Sequence, residues 1–392
     1  MRQMDKVIYA ERFFLASGMT GSGYLKINES KFGEFSKELP KGEYQLLDYA
    51  TSWIAPGLVD THIHGLLGHD VMDNDFAGIK AISTGLLACG VTSFLPTTLT
   101  DSTERLDKVV ETIGKHHREV AGARIQGIFL EGPFFTEKHK GAQNTAYFSD
   151  PLIEKLEKWQ KLSGGLIKKI ALAPERKGSA EFIQYATSKG IKVALAHSDA
   201  SYEEAKNAVD HGASIFVHTY NGMSPLNHRE PGMVGAALTL KGVFNELICD
   251  GQHVHPVAAK ILMDVRSREE VVLITDCMRA GSMPDGSYTL GEFPVEVKQG
   301  AARLKNGSLA GSVLQLKDAI KNVVDWGIAT PLEAIRMASA IPAESVGIAD
   351  KCGEIVPDAP ADFIVLSKTL ELEATYLAGE LRYQSDDLKG RA

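Results

Sequence analysis

Between residues 56 and 276, short apolar runs alternate with stretches whose apolar positions recur at helical spacing. Eight runs read as strands: 58–64, 91–97, 125–131, 167–173, 192–197, 214–218, 246–250 and 271–276. They are rich in Val, Ile and Leu and largely continuous, the pattern of strands covered on both faces of a parallel sheet. Segments 101–117, 151–162, 180–189, 202–211 and 256–266 read as amphipathic helices between them. Asp101 and Ser201 stand where N-caps belong, and Gly90, Gly190 and Gly212 stand where helices end. Eight strands alternating with helices predict an α/β fold, a (β/α)8 TIM-like barrel, with a doubly wound open sheet as the competing arrangement. Neither GxGxxG nor GxxxxGK followed by Ser or Thr comes after an early strand, which counts against nucleotide-binding forms of the open sheet.

The two ends of the chain are patterned differently. Residues 1–55 hold short alternating runs at 7–15, 23–27 and 44–48, broken by Gly, Pro and charges, and residues 353–385 repeat that texture. Neither end is long enough to bury a core alone. Together they predict a small β-sandwich domain of residues 1–55 plus 350–392, flanking a catalytic barrel of residues 56–349.

Composition narrows the class of partner. In 392 residues the chain has 44% hydrophobic and 23% charged positions, the balance of a globular protein. Its net charge of −8 lacks the electrostatic footprint of a nucleic-acid binder. No apolar run is long enough to span a bilayer, and residues 1–12 contain no apolar core of a signal peptide. The cysteines, Cys89, Cys249, Cys277 and Cys352, are far apart and form no CxxC pair. Free buried thiols in a reducing cytoplasm are the expectation. Strand parity should turn Cys277 away from any pocket.

The chemistry lies at the strand ends. In such a barrel the active site gathers where strands finish. His62 and His64 end the first strand and share one face, because strand side chains repeat every second residue. Glu131 ends the third, His197 the fifth and His218 the sixth; Asp250 and His253 follow the seventh, and Asp276 ends the eighth. A carboxylate closing an apolar run is costly to bury alone, and coordination to a metal would resolve that cost. His62, His64, Glu131, His197 and His218 suffice for two ions, with Glu131 able to bridge them and Asp276 touching one. A water molecule at such a site becomes a nucleophile near neutral pH. Asp276 suits the general acid/base role, and a metal or the ring of His253 could polarise the carbonyl under attack. The predicted reaction is metal-assisted hydrolysis of a C–N bond, most simply an amide.

These residues resemble the amidohydrolase superfamily, whose members join a metal-dependent barrel to a small β-sandwich made from both chain ends. Within it they are most similar to the N-acetylglucosamine-6-phosphate deacetylases. The resemblance rests on Pro56-Gly-Leu-Val-Asp-Thr-His-Ile-His-Gly65, Leu130-Glu-Gly-Pro-Phe134, Ala196-His-Ser-Asp-Ala200 and His218-Thr-Tyr-Asn-Gly-Met-Ser224. Asp250-Gly-Gln-His-Val-His-Pro256, Thr275-Asp276 and Leu309-Ala-Gly-Ser312 extend it, in order, to about residue 315. The family implies hydrolysis of N-acetylglucosamine 6-phosphate to glucosamine 6-phosphate and acetate, in amino-sugar catabolism and cell-wall sugar recycling. It implies Glu131, His197 and His218 as core ligands and Asp276 as acid/base. His62 and His64 match members that bind a second ion. One or two divalent ions per subunit are therefore expected, zinc or iron(II) first, manganese or cobalt as alternatives. Substrate contacts are implied at Ala142, Gln143, Asn221, Gly222, Arg229, His253 and the backbone of Leu309, Ala310 and Gly311. Arg229 is the phosphate anchor, and because its counterpart can reach a neighbouring subunit's site, a homodimer is implied. Gln143 departs from the histidine many members carry, which puts a phosphate contact there in doubt. The basic run Lys138-His139-Lys140 just before it reads as a solvated loop. A cyclic-amide hydrolase or D-amino-acid deacylase is the rival within the superfamily, and a non-catalytic scaffold the rival outside it.

Overall fold

The computed structural model describes residues 4–389. Eight parallel strands pair in sequence order: Leu58–Ile63, Val91–Thr98, Ile128–Phe134, Ile167–Leu172, Lys192–Leu195, Ile215–Phe216, Phe244–Leu247 and Val271–Leu273. The ring closes just beyond the eighth strand, where Asp276 N donates to His62 O at 2.9 Å and His64 N to Cys277 O at 2.8 Å. This is the predicted (β/α)8 barrel. Val59, Leu95, Phe129, Ala171, Ala194 and Ile215, one from each of the first six strands, fill its interior. Ala343, Val346 and Ile348, in and after the helix Ala340–Ser345, pack against the same cluster. The barrel is a packed core from which only the strand ends emerge.

Strands five to eight stop short of their predicted ends, and at five, six and eight the reason lies in the backbone conformation. His197, His218 and Asp276 have φ of 44°, 31° and 49°, left-handed conformations that cannot continue a strand. Each costs about 1–3 kcal/mol and persists only where surrounding structure enforces it, a pattern typical of functional sites. The third predicted strand is split: Arg124–Ile125 pairs alone with the second strand, and the main strand runs on through Glu131 to Phe134. Ser201 caps its helix through a capping box as expected, but the cap of Thr103–His116 is Ser102. Asp101 instead accepts from the Ser102 backbone at 2.6 Å.

Three features escaped the pattern. The helix Gly232–Thr239 is apolar on nearly every side and buried from Gly232 to Leu238, so it carries no amphipathic stripe. Helices Phe76–Gly85 and Leu316–Asp325 complete the first and eighth units. A three-stranded antiparallel sheet, Gly286–Leu290, Phe293–Lys298 and Ala301–Arg303, is inserted between the eighth strand and its helix.

The chain ends form one sheet, ordered Glu380–Gln384, Leu372–Leu377, Phe363–Leu366, Gln45–Pro56, Lys6–Leu15, Gly23–Asn28, Lys31–Ser36, with Gly18–Thr20 paired to Lys6–Leu15. The sandwich is made by this sheet curling on itself. Phe32 N donates to Ala359 O at 2.9 Å, and the Phe32 ring meets that of Phe363, four strands away, at 6.2 Å. Ile8, Phe13, Ile27 and Val365 lie in the enclosed core.

Candidate metal centre and active site

The barrel strand ends deliver six ligand atoms to one point. His62 Nε2 and His64 Nε2 are 3.3 Å apart, and Asp276 Oδ1 lies 3.4 and 3.1 Å from them. Beside them, His197 Nε2 and His218 Nε2 are 3.3 Å apart, with Glu131 Oε1 at 3.5 and 3.2 Å. The two triads, His62–His64–Asp276 and Glu131–His197–His218, are each compact enough to hold an ion. Glu131 joins them: its Oε1 is 3.4 Å from His62 Nε2 and its Oε2 is 3.3 Å from His64 Nε2.

The outward ring nitrogens show what the centre requires. Nδ1 of His64 lies 3.2 Å from Thr97 O, that of His197 2.9 Å from His139 O, and that of His218 3.0 Å from Asn221 O. Nδ1 of His62 lies 3.3 Å from Glu246 Oε2. Carbonyls and carboxylates only accept, so these partners assign the neutral rings' protons to Nδ1 and leave four Nε2 lone pairs facing inward. Four lone pairs and two carboxylates at such spacings repel unless positive charge sits among them. A divalent cation fits that donor set.

Without an ion, protons supply part of the charge. Burial alone would lower the His64 pKa, but Asp276 and Glu131 outweigh it and hold it well above the ordinary histidine range. His218 is raised in the same way, chiefly by Glu131 against burial. Burial would raise Glu131, yet the surrounding histidines, His62 foremost, hold it well below the usual carboxylate range. A raised histidine pKa stabilises the metal-free fold fully below the unfolded value, about 6.5, and that contribution is lost as pH rises through the folded pKa. Ion uptake must displace those protons, so affinity rises with pH. The thermal shift caused by saturating zinc should therefore grow between about pH 6 and 8, and binding should release protons to buffer. Calorimetry in two buffers of different ionisation enthalpy measures the release; a pH-independent shift with none would contradict this electrostatic picture.

A cavity of about 320 Å³ opens above the centre. Ala142, Gln143, Asn221, Gly222 and His253 line it, as do Leu309 and Gly311. Asn221 Nδ2 is buried and meets no acceptor, a donor aimed at something the protein does not supply. Gly222 has φ 63°, and a Cβ there would stand 2.9 Å from His197 Nδ1, so only glycine lets this loop close over the ligand. The inserted antiparallel sheet brings Leu290 to the rim, with Ser308 just beyond it.

Two expected contacts, Ala310 and Arg229, do not line the cavity, and a third, Gln143, lines it with its amide engaged. Ala310 is buried behind the wall with its N–H committed to Ala302 O at 3.1 Å, because this segment pairs back on Arg303. Arg229 is exposed on the loop before Gly232–Thr239 and does not line its own cavity. Gln143 is occupied at both ends. Its Oε1 accepts from Thr100 N at 2.9 Å, which turns Nε2 to donate to Glu131 Oε2 at 2.8 Å. It braces a candidate metal-site carboxylate, and this commits its amide oxygen and one of its two N–H donors. His139 was read as part of a solvated loop, yet its carbonyl orients His197 and its ring, 3.0 Å from Asp199, reaches the cavity.

Lys169 and Glu246 were missed as site residues. Both lie inside the barrel, directly beneath His62, and both are completely buried. A charge in the middle of an apolar strand was the available signal, since such burial is expensive without a purpose. Cys277, as expected, is buried and is not among the residues lining the cavity.

This is a metal-dependent hydrolase barrel, with its candidate ligands at the strand ends and a small sheet domain from both termini. The chain belongs to the amidohydrolase family: the profile described as "Amidohydrolase family" matches residues 53–386. It is 43% identical to an N-acetylglucosamine-6-phosphate deacetylase of Vibrio furnissii over 85% of this chain and 83% of that one. An N-acetylgalactosamine-6-phosphate deacetylase of Escherichia coli O157:H7 is 39% identical over 84% and 87%. Among solved structures, a mutant N-acetyl-D-glucosamine-6-phosphate deacetylase of Mycobacterium smegmatis in complex with N-acetyl-D-glucosamine 6-phosphate superposes with a TM-score of 0.92. It is 27% identical, over 97% of this chain and 100% of that one.

Proposed function

We propose that this protein hydrolyses the acetamide of N-acetyl-D-glucosamine 6-phosphate to D-glucosamine 6-phosphate and acetate. The observation that carries the reading is the pair of ligand triads around Glu131 at the floor of a sugar-sized cavity, in a chain most of whose length matches deacetylases of this substrate. A bound divalent ion would polarise the amide carbonyl and make water a nucleophile at neutral pH. Zinc or iron(II) suits the histidine–carboxylate set best.

The protein's own groups do the rest. Glu131, His197 and His218 would hold one ion, and His62, His64 and Asp276 a second. Asp276 takes a proton from the attacking water and returns it to the departing nitrogen. His253 has Nδ1 held by Asp250 Oδ2 at 2.6 Å, so its Nε2 faces the substrate. As the imidazolium it donates to a developing oxyanion; as the neutral ring it accepts from a sugar hydroxyl. Asn221 Nδ2, Gly222 and the Ala142 and Leu309 segments hold the ring.

The phosphate is assigned to Arg229 of a neighbouring subunit. Its guanidinium is exposed and suits phosphate geometry. Leu226 is exposed on the same loop, and Val257, Ile261 and Val265 form an exposed apolar stripe at four-residue spacing along Pro256–Arg266. Tyr220 ties that loop to the helix through a 2.8 Å hydrogen bond to Ala258 O. A homodimer burying the stripe would carry each Arg229 towards the other site. Residues 56–349 then form the catalytic unit, and residues 1–55 with 350–392 the flanking domain. Among the described residues no helix is long and apolar enough to cross a membrane, and the four free thiols suit a cytoplasmic enzyme.

Acetate release tests the reading. The metal-loaded protein should release acetate from N-acetylglucosamine 6-phosphate, lose that activity on chelation and regain it with zinc. The galactosamine epimer, run in parallel, decides the C4 preference. Metal-dependent turnover of the epimer alone would reassign the substrate within the family.

A further inference from the structure

Two fully buried charges inside the barrel have no part in the chemistry above. Lys169, on the fourth strand, and Glu246, on the seventh, form an ion pair one layer below the metal centre. Lys169 Nζ also donates to Thr61 O at 3.2 Å and lies 3.6 Å from the centre of the Phe129 ring. The other oxygen of Glu246 faces His62 Nδ1 at 3.3 Å. The His62 ring cannot swing Nδ1 away from that oxygen, being completely buried and edge-on to Phe129 at 4.9 Å.

A buried ion pair gives little net stability, and replacing it by apolar residues is often neutral or favourable. Its placement therefore calls for another explanation. The three remaining histidines of the centre have Nδ1 on backbone carbonyls, which the fold fixes. His62 alone relies on an ionisable side chain. Lys169 Nζ and His62 Nδ1 sit on opposite oxygens of that carboxylate, so the ammonium fixes which oxygen faces the ring.

We propose that Lys169 and Glu246 are a buried positioning pair: Lys169 holds one oxygen of Glu246 and turns the other to His62, and that oxygen keeps the His62 proton on Nδ1, presenting Nε2 to the ion. The inference rests on His62 being a ligand and adds what fixes its tautomer. It also explains why the pair is charged. A neutral amide offers one oxygen, and the ammonium would claim it.

That competition supplies the test. In Glu246→Gln the amide oxygen turns to Lys169, the NH2 faces His62 Nδ1, and the ring proton moves to Nε2. In the double variant Lys169→Met/Glu246→Gln the oxygen is released and can accept from Nδ1 again. Long-range 1H–15N NMR of 15N-histidine-labelled, metal-free protein reads the tautomer. Zinc titration with elemental analysis reads ions per chain.

Wild type should show His62 with its proton on Nδ1. Glu246→Gln should show it on Nε2, with affinity for the ion at His62, His64 and Asp276 down about 10- to 100-fold. The double variant should restore both. A wild-type proton on Nε2, or a Glu246→Gln variant with unchanged tautomer and unchanged zinc affinity, overturns the proposal. If Glu246→Gln does not fold, the wild-type tautomer and the isosteric double variant decide. If wild type holds only one ion, the two-ion reading fails, while the tautomer still reports on the pair.

Discussion

Asp276→Asn should lower kcat by about 10²–10⁴-fold while leaving the fold and the metal centre in place. The backbone of Asp276 is held on both sides. Its N–H donates to His62 O at 2.9 Å, its carbonyl accepts from Ser312 N at 2.7 Å, and its φ of 49° is locked between those bonds. Asparagine matches its shape, tolerates that backbone conformation and keeps one oxygen towards His64. What it lacks is a basic oxygen. Two ions per chain by elemental analysis, with KM changed little and kcat collapsed, is the expected profile. A variant keeping more than about a tenth of wild-type kcat would remove Asp276 from general acid/base duty, since positioned proton transfer is worth far more than that.

Arg229→Ala should lower kcat/KM for the phosphorylated sugar about 30- to 1,000-fold, the effect of removing one partner from a desolvated charge pair. Turnover of the unphosphorylated sugar should stay at its low baseline. The more telling result comes from mixing. An Arg229→Ala chain keeps its own metals and Asp276 but lacks the arginine its partner needs. An Asp276→Asn chain is inert but still presents Arg229. If arginine acts across the dimer, co-refolding equal amounts of these two variants restores about a quarter of wild-type activity, because half of random dimers are mixed and each has one complete site. Activity no greater than the sum of the separate variants would place Arg229 in its own subunit or outside the site. The structure motivates the crossed arrangement, since Arg229 is exposed and does not line its own cavity.

The barrel and the clustering of its candidate ligands were legible because both are written in short-range pattern. Continuous apolar strands announce a parallel sheet, and His62, Glu131, His197, His218 and Asp276 stand where such runs end. Strand ends were less legible, because the left-handed turns at His197, His218 and Asp276 are enforced by tertiary contacts rather than by local propensity. The helix Gly232–Thr239 was invisible for the opposite reason. Buried on all sides, it has no polar face to reveal its period.

Contacts between distant segments were not legible at all. Gln143 stood beside a presumed phosphate site in sequence, and only the fold shows its amide turned by Thr100 onto Glu131. The Lys169–Glu246 pair spans 77 positions and becomes meaningful only when strands four and seven face each other across the barrel. The carbonyls facing the other three Nδ1 atoms, on Thr97, His139 and Asn221, are backbone groups, which no side-chain pattern announces.

The account stands or falls on the kcat/KM for acetate release from N-acetylglucosamine 6-phosphate, measured beside unphosphorylated N-acetylglucosamine with the zinc-loaded protein. It predicts metal-dependent turnover that strongly favours the phosphorylated sugar. Turnover of neither sugar by protein carrying both ions would contradict it and leave an amidohydrolase centre whose substrate lies elsewhere.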